Sequence, residues 1–154
     1  MKIRNLFVTV GTGKFDELVK SIDEAAPLLN CKVIIQIGNG EYIPKNCKYF
    51  RLAPNLDKYY KKADLIVSHG GAGTIYELLA KGKKVVALAN LNRTDVHQYE
   101  ILKVLSEENY LIWCPSPERI KECVEVASRF KFVRYKKPNC TIADRISKFI
   151  EDNS

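Results

Sequence analysis

The chain has 154 residues, 46% hydrophobic and 28% charged, which is the size of one ordinary domain with enough apolar residues for one sizeable core and too few for two independent domains. No apolar run approaches the roughly 18 residues needed to span a bilayer, and Leu6-Phe7-Val8-Thr9-Val10 is too short for a signal-peptide core, so a cytoplasmic location is expected. The formal charge of +7 favours anionic partners (nucleotides, nucleic acid or an acidic membrane surface) without choosing among them.

In chain order, a strand is expected over Ile3 to Val10, then a helix in which Phe15, Leu18, Val19 and Ile22 recur at helical spacing. Strands follow over Lys32 to Ile37, Tyr49 to Leu52 and Leu65 to Ser68. A helix runs from about Thr74 and is closed by Gly82, and the next strand is Val85 to Ala89. A last strand covers Tyr110 to Trp113, and Ser116-Pro117 reads as the cap and first position of a helix carrying Ile120, Cys123, Val124 and Ala127. Arg129 to Lys137 is a basic strip containing three aromatics and no acid, and Ile142, Ile146, Phe149 and Ile150 mark a final helix. Continuous Val, Ile and Leu strands alternating with helices describe an α/β fold, a parallel sheet covered on both faces. The five cysteines, Cys31, Cys47, Cys114, Cys123 and Cys140, are odd in number and lack metal-ligand spacing, so they read as free thiols.

In such a sheet the loops at the carboxyl ends of strands hold ligands. Ser68-His69-Gly70-Gly71-Ala72-Gly73-Thr74 is the most informative of them. Three glycines in four positions let backbone N–H groups approach an anion, and the helix that follows adds the positive end of its dipole, so a diphosphate fits. A plain turn is the competing reading, because Thr74-x-x-Glu77 also has the form of a capping box. The first loop, Gly11-Thr12-Gly13-Lys14-Phe15-Asp16, begins like a dinucleotide fingerprint but has Asp16 where the last glycine belongs. The third, Asn90-Leu91-Asn92-Arg93-Thr94-Asp95-Val96-His97-Gln98, gathers amides and a carboxylate able to bond sugar hydroxyls; Asp95 and Gln98 would equally serve as a capping box. With no P-loop, no metal-ligand spacing and no closely spaced aspartates, catalysis without a metal or other cofactor is expected.

Phe7-Val8-Thr9-Val10-Gly11-Thr12 with Phe15-Asp16, the glycine loop with Glu77, and Asp95-x-His97-Gln98 together resemble the family-28 glycosyltransferase C-terminal domain over roughly residues 1 to 125. Within that family the chain is most similar to small stand-alone catalytic subunits, such as those of lipid-linked N-glycan assembly and bacterial exopolysaccharide synthesis. The resemblance implies a Rossmann-like donor-binding half of a GT-B glycosyltransferase that takes a hexose, GlcNAc first among them, from a UDP-sugar to a lipid-linked acceptor. It implies that Gly70, Gly71, Ala72, Gly73 and Thr74 hold the diphosphate with Gly11 and Thr12 opposite, that His69, Asn90 and Asp95 complete the donor site, and that Glu77 bonds the ribose. His97 and Gln98 would lie near the donor sugar as the catalytic pair, with Gly38 and Pro54-Asn55 near the uracil. The chain departs from the family at Gly70, commonly Ala, and at Ala89-Asn90-Leu91, where a proline is usual.

A membrane-anchored partner subunit would supply the acceptor site and the general base, and residues 129–154 would dock against it or against the anionic membrane surface carrying the acceptor, leaving the chain peripherally associated with the membrane. Three other readings remain open. A non-catalytic UDP-sugar-binding or regulatory module keeps the glycine loop, and a sugar-nucleotide 2-epimerase needs a second domain. A nucleic-acid binder would use Phe130, Phe132 and Tyr135 in the basic strip.

Overall fold

The computed structural model describes residues 1–90, 97–136, 146–147, 149–151 and 153. Six parallel strands form one sheet in the order β3-β2-β1-β4-β5-β6: β1 (Asn5–Thr9), β2 (Lys32–Gln36), β3 (Lys48–Phe50), β4 (Leu65–His69), β5 (Val85–Leu88) and β6 (Ile112–Trp113). That is the doubly wound Rossmann order, in which the chain reverses its direction of travel across the sheet between β1 and β4. Cα partners in register include Thr9 with Gln36 and Thr9 with Ser68, so three carboxyl ends finish level with one another.

Helices α1 (Asp16–Ala25), α2 (Asp57–Lys62), α3 (Ala72–Ala80), α4 (His97–Glu107) and α5 (Ile120–Ala127) cover the two faces. Alternate strand residues feed two cores. Leu6, Val8, Ile35 and Val67 pack with α1 and α5, whereas Phe7, Ile66, Val85 and Ala87 pack with α2, α3 and α4. Burial on both sides explains why the strands read as unbroken apolar runs.

Strand positions agree with the sequence reading, but β1, β3 and β6 are each shorter than expected. Helix α2, Asp-Lys-Tyr-Tyr-Lys-Lys, had no apolar period to announce it; Tyr60 alone is buried, and Phe7, Phe50 and Tyr59 stack beside it with ring centroids 4.6 to 6.2 Å apart. Ser116 precedes a 3₁₀ turn, Pro117–Arg119, but contributes no side-chain cap to it. The four described cysteines are free thiols, and burial beside Asp23 pushes the Cys47 thiol up to about 12.

Residues 91–96 (with Asp95), Lys137, Cys140 and the start of the expected last helix at Ile142 lie outside the described residues. Within the basic strip, Arg129, Lys131, Arg134 and Lys136 are exposed, whereas Tyr135 is buried in one core and Phe132 packs against the other. Phe130 lies edge-on to Phe132 at 4.8 Å. Tyr135 and Phe132 are thus turned into the protein and are not part of an exposed stacking platform of the kind single-strand binding would use.

Candidate functional site

A cleft of about 570 Å³ opens at the carboxyl ends of β1, β2 and β4, where the direction of strand order reverses. Thr9, Gly11, Gln36 and His69 lie at its strand ends, and the loop 52–56 with Asp57, Tyr60, Thr74, Glu77 and Lys81 forms its walls. A groove of about 580 Å³ lies at the opposite, amino ends of β1 and β2 and includes none of the expected site residues.

Helix α3 starts at Ala72, with Gly71 as its N-cap and no side chain capping it. Thr74 is therefore inside the first turn, which overturns the capping-box reading of Thr74-x-x-Glu77: a residue with helical backbone cannot be the cap. Ile75 N–H donates to the Gly71 carbonyl as the first helical bond, so the amides of Ala72, Gly73 and Thr74 have no intrahelical acceptor. Three uncapped N–H groups at the positive end of a helix dipole are an anion seat.

The His69 ring fits between two glycines. Gly71 N–H donates to His69 Nδ1 at 3.1 Å, which makes Nδ1 an acceptor and puts the proton of the neutral ring on Nε2. A Cβ on Gly11 would come within 2.7 Å of Nε2, and one on Gly71 would overlap Cε1. Gly11 also has φ of +69°, a conformation that side chains disfavour. Both glycines are thus required by the ring, and Gly11 serves the histidine rather than a dinucleotide.

Gly73 differs from them. A Cβ there would meet nothing within 4 Å, so packing does not explain the glycine. Gly73→Ala is expected to stabilise the fold by about 0.5–1 kcal/mol through helix propensity, read as a rise in Tm.

Of the other expected residues, Thr12, Thr74 and Glu77 line the cleft, and Gly70 is buried behind it against α4. Glu77 is exposed and pairs with Lys81 Nζ at 3.3 Å. Lys81 also bonds Asp57 and holds that carboxyl below its usual range, tying α2 to α3 along one wall. Pro54 and Asn55 belong to the cleft, but Gly38 sits in a turn whose carbonyl accepts from Arg51 and is not part of its lining.

Asn90, His97 and Gln98 stand behind the glycine turn, outside the cleft lining. Gln98 is 4% exposed, and its Oε1 accepts from Asn90 N–H at 3.3 Å while Asn90 Nδ2 donates to the Lys14 carbonyl. This links α4, the end of β5 and the first loop. His97 Nδ1 lies 3.3 Å from Glu100 Oε2. Sequence reasoning missed Thr9, Gln36, Tyr60 and Lys81; the register of β1 against β2 is the signal that would have paired the first two.

Residues 5–152 match the glycosyltransferase family 28 C-terminal domain. The chain belongs to this family. The match extends beyond residue 125, where the motifs end, and takes in the strip and the last helix. The chain is 34% identical over 125 residues to the UDP-N-acetylglucosamine transferase subunit ALG13 of Mus musculus, covering 73% of this chain and 11% of that protein. It thus spans about a tenth of the length of this curated relative. Among solved structures, MurG of Acinetobacter baumannii has a TM-score of 0.65 at 19% identity, covering 96% of this chain and 49% of that one. An NMR structure of ALG13 has a TM-score of 0.54 at 20% identity, covering 82% of this chain and 84% of that one. The doubly wound fold is thus shared with glycosyltransferases, as the motifs implied. No helix among the described residues is long and apolar enough to cross a membrane.

Proposed function

We propose that this chain is the donor-binding catalytic subunit of a UDP-sugar glycosyltransferase, with GlcNAc the first candidate for the sugar transferred to a lipid-linked acceptor. The observation that carries the reading is the uncapped N-terminus of α3, whose Thr74 lines the cleft together with Gly11 and His69. A diphosphate seated there would accept from the Ala72, Gly73 and Thr74 amides, with Glu77, about one turn along α3, meeting the ribose hydroxyls. As the glycosidic bond breaks, negative charge grows on the diphosphate, so fixed donors aimed at it stabilise the transition state more than the ground state. That device needs no metal, and a metal-independent reaction forms part of the proposal.

Deprotonation of the acceptor hydroxyl is assigned to a membrane-anchored partner subunit, which would also bring this chain to the membrane, with residues 129–154 as its docking segment. Two facts support the division: the mouse relative is named as a subunit of a transferase, and Gln98 is buried with its Oε1 on the Asn90 amide. The second fact also favours an alternative, a UDP-sugar-binding module without catalysis of its own. It predicts nucleotide binding but no transfer with any acceptor-binding partner.

A thermal-shift panel of UDP, UDP-GlcNAc, UDP-Glc, UDP-GlcA and GDP-Man tests the reading, since a ligand that binds only the folded chain raises Tm by mass action. UDP and its sugars are expected to raise Tm, GDP-Man to do so less, and the UDP shift to persist in EDTA. No shift with UDP would refute donor binding, and a shift abolished by EDTA would refute the metal-free mechanism.

A further inference from the structure

Thr9 and Gln36 form a buried polar pair at the floor of the cleft that the diphosphate and ribose contacts do not use. They are Cα partners on β1 and β2, 0% and 3% exposed. Thr9 Oγ1 accepts from Gly11 N–H at 3.1 Å and donates its own proton to Gln36 Oε1 at 2.6 Å. This chain of bonds fixes the orientation of the Gln36 amide. Only the oxygen can face Thr9, so Nε2 is the end turned away from it, and among the described residues no group accepts from Nε2. Gln36 nevertheless lines the cleft. The amide is thus held with its donor end toward the ligand space, where a bound ligand can accept from it.

We infer that Gln36 Nε2 donates to the C4 carbonyl of the donor's uracil, and that Thr9 is the positioning residue that makes this a donor-only contact. The inference rests on the donor-binding function proposed above. Its direction comes from the sheet. Two strand spacings, about 10 Å, separate the end of β2 from the end of β4, where α3 would seat the diphosphate. Gln36 is therefore too far along the sheet for the same phosphate oxygens. It lies instead on the side of the loop 52–56, in line with a nucleoside running from α3 past Glu77. A fixed donor accepts a keto edge and rejects an edge carrying an amino group, because two donors would then face each other. The pair therefore selects UDP over CDP.

The test is titration of UDP and CDP into the full-length chain and its Gln36→Leu, Gln36→Glu, Thr9→Val and His69→Phe variants, each first checked for a cooperative melt. Gln36→Leu is expected to weaken UDP roughly five- to tenfold, the effect of one neutral hydrogen bond, and to bring the UDP to CDP ratio towards one. Gln36→Glu keeps the Thr9 bond but replaces the donor with a carboxylate, so it should weaken UDP further. In Thr9→Val the amide is free to flip, and the base preference should fall although Gln36 is intact. His69→Phe should weaken both nucleotides together and keep their ratio. If UDP affinity stays within twofold of the original chain in both Gln36 variants, or the UDP preference survives in them, Gln36 does not read the base, while loss of binding in His69→Phe would leave the diphosphate site standing. If the unaltered chain binds no UDP, the donor-binding proposal fails and this inference with it.

Discussion

His69→Phe is expected to lower sugar transfer, assayed with the acceptor-binding subunit, by about tenfold, the usual effect of losing one hydrogen bond, because the ring holds the glycine turn in place. Phenylalanine is flat and close to imidazole in size, so it can occupy the slot between Gly11 and Gly71. It offers no acceptor to Gly71 N–H, which now bonds Nδ1 at 3.1 Å, so the glycine turn loses the bond that holds it. The loss should fall more on kcat than on UDP affinity, because the diphosphate gains most of its charge as the bond breaks. Gly11→Ala should reproduce much of this defect without touching the histidine, since its Cβ would come within 2.7 Å of Nε2 and displace the ring. It should also cost about 1–2 kcal/mol of stability, the penalty for an L residue at positive φ. Transfer at the original rate by His69→Phe would remove the histidine from the mechanism.

The part of the site carried by backbone was legible in the chain. Three glycines between a Val-Ile strand and a helix can be read as an anion seat because the chemistry lies in amides common to every residue, and only the spacing needs to be seen. The same spacing misled at Thr74-x-x-Glu77, which fits a capping box one turn too late; the helix begins at Ala72, and its cap has no side chain. Side-chain partnerships across the fold were not legible. Nothing local in Thr9 or Gln36 shows that they meet, since 27 residues separate them and only the β1–β2 register brings them together. Gln98 was singled out beside His97 for its place in a motif, yet its Oε1 holds the Asn90 amide behind the turn, a role set by where α4 packs. Helix α2 was hidden for a different reason: it is held by an aromatic stack around Phe7, not by an apolar period of its own.

Asp23→Ala is expected to destabilise the chain by about 3 kcal/mol, lowering Tm by about 6–12 °C, because it orphans a set of donors rather than one. Asp23 is a fully buried carboxylate on α1. It accepts from Tyr42 Oη at 2.8 Å, from Lys45 N–H at 2.9 Å and from Asn46 N–H at 2.7 Å, and so pins the connection between β2 and β3 against the helix. Burial pushes its acidity toward the neutral form, but the Lys45 and Asn46 amides and the Tyr42 hydroxyl outweigh burial and leave its pKa below the ordinary 3.8. A carboxyl depressed in the folded state contributes stability that is fully present above its unfolded value and is lost as pH falls through the folded one. The acid limb of a stability curve should therefore steepen below pH 3.8 in the original chain and flatten there in Asp23→Asn, which keeps the shape but cannot ionise. Unchanged melting of Asp23→Ala at neutral pH would show that the connection holds itself. The consequence reaches the cleft, because β3 follows this connection and leads into the loop 52–56 that forms one of its walls. Loosening it should weaken UDP in the folded variant, while the diphosphate seat on α3, anchored in the opposite core, keeps its geometry.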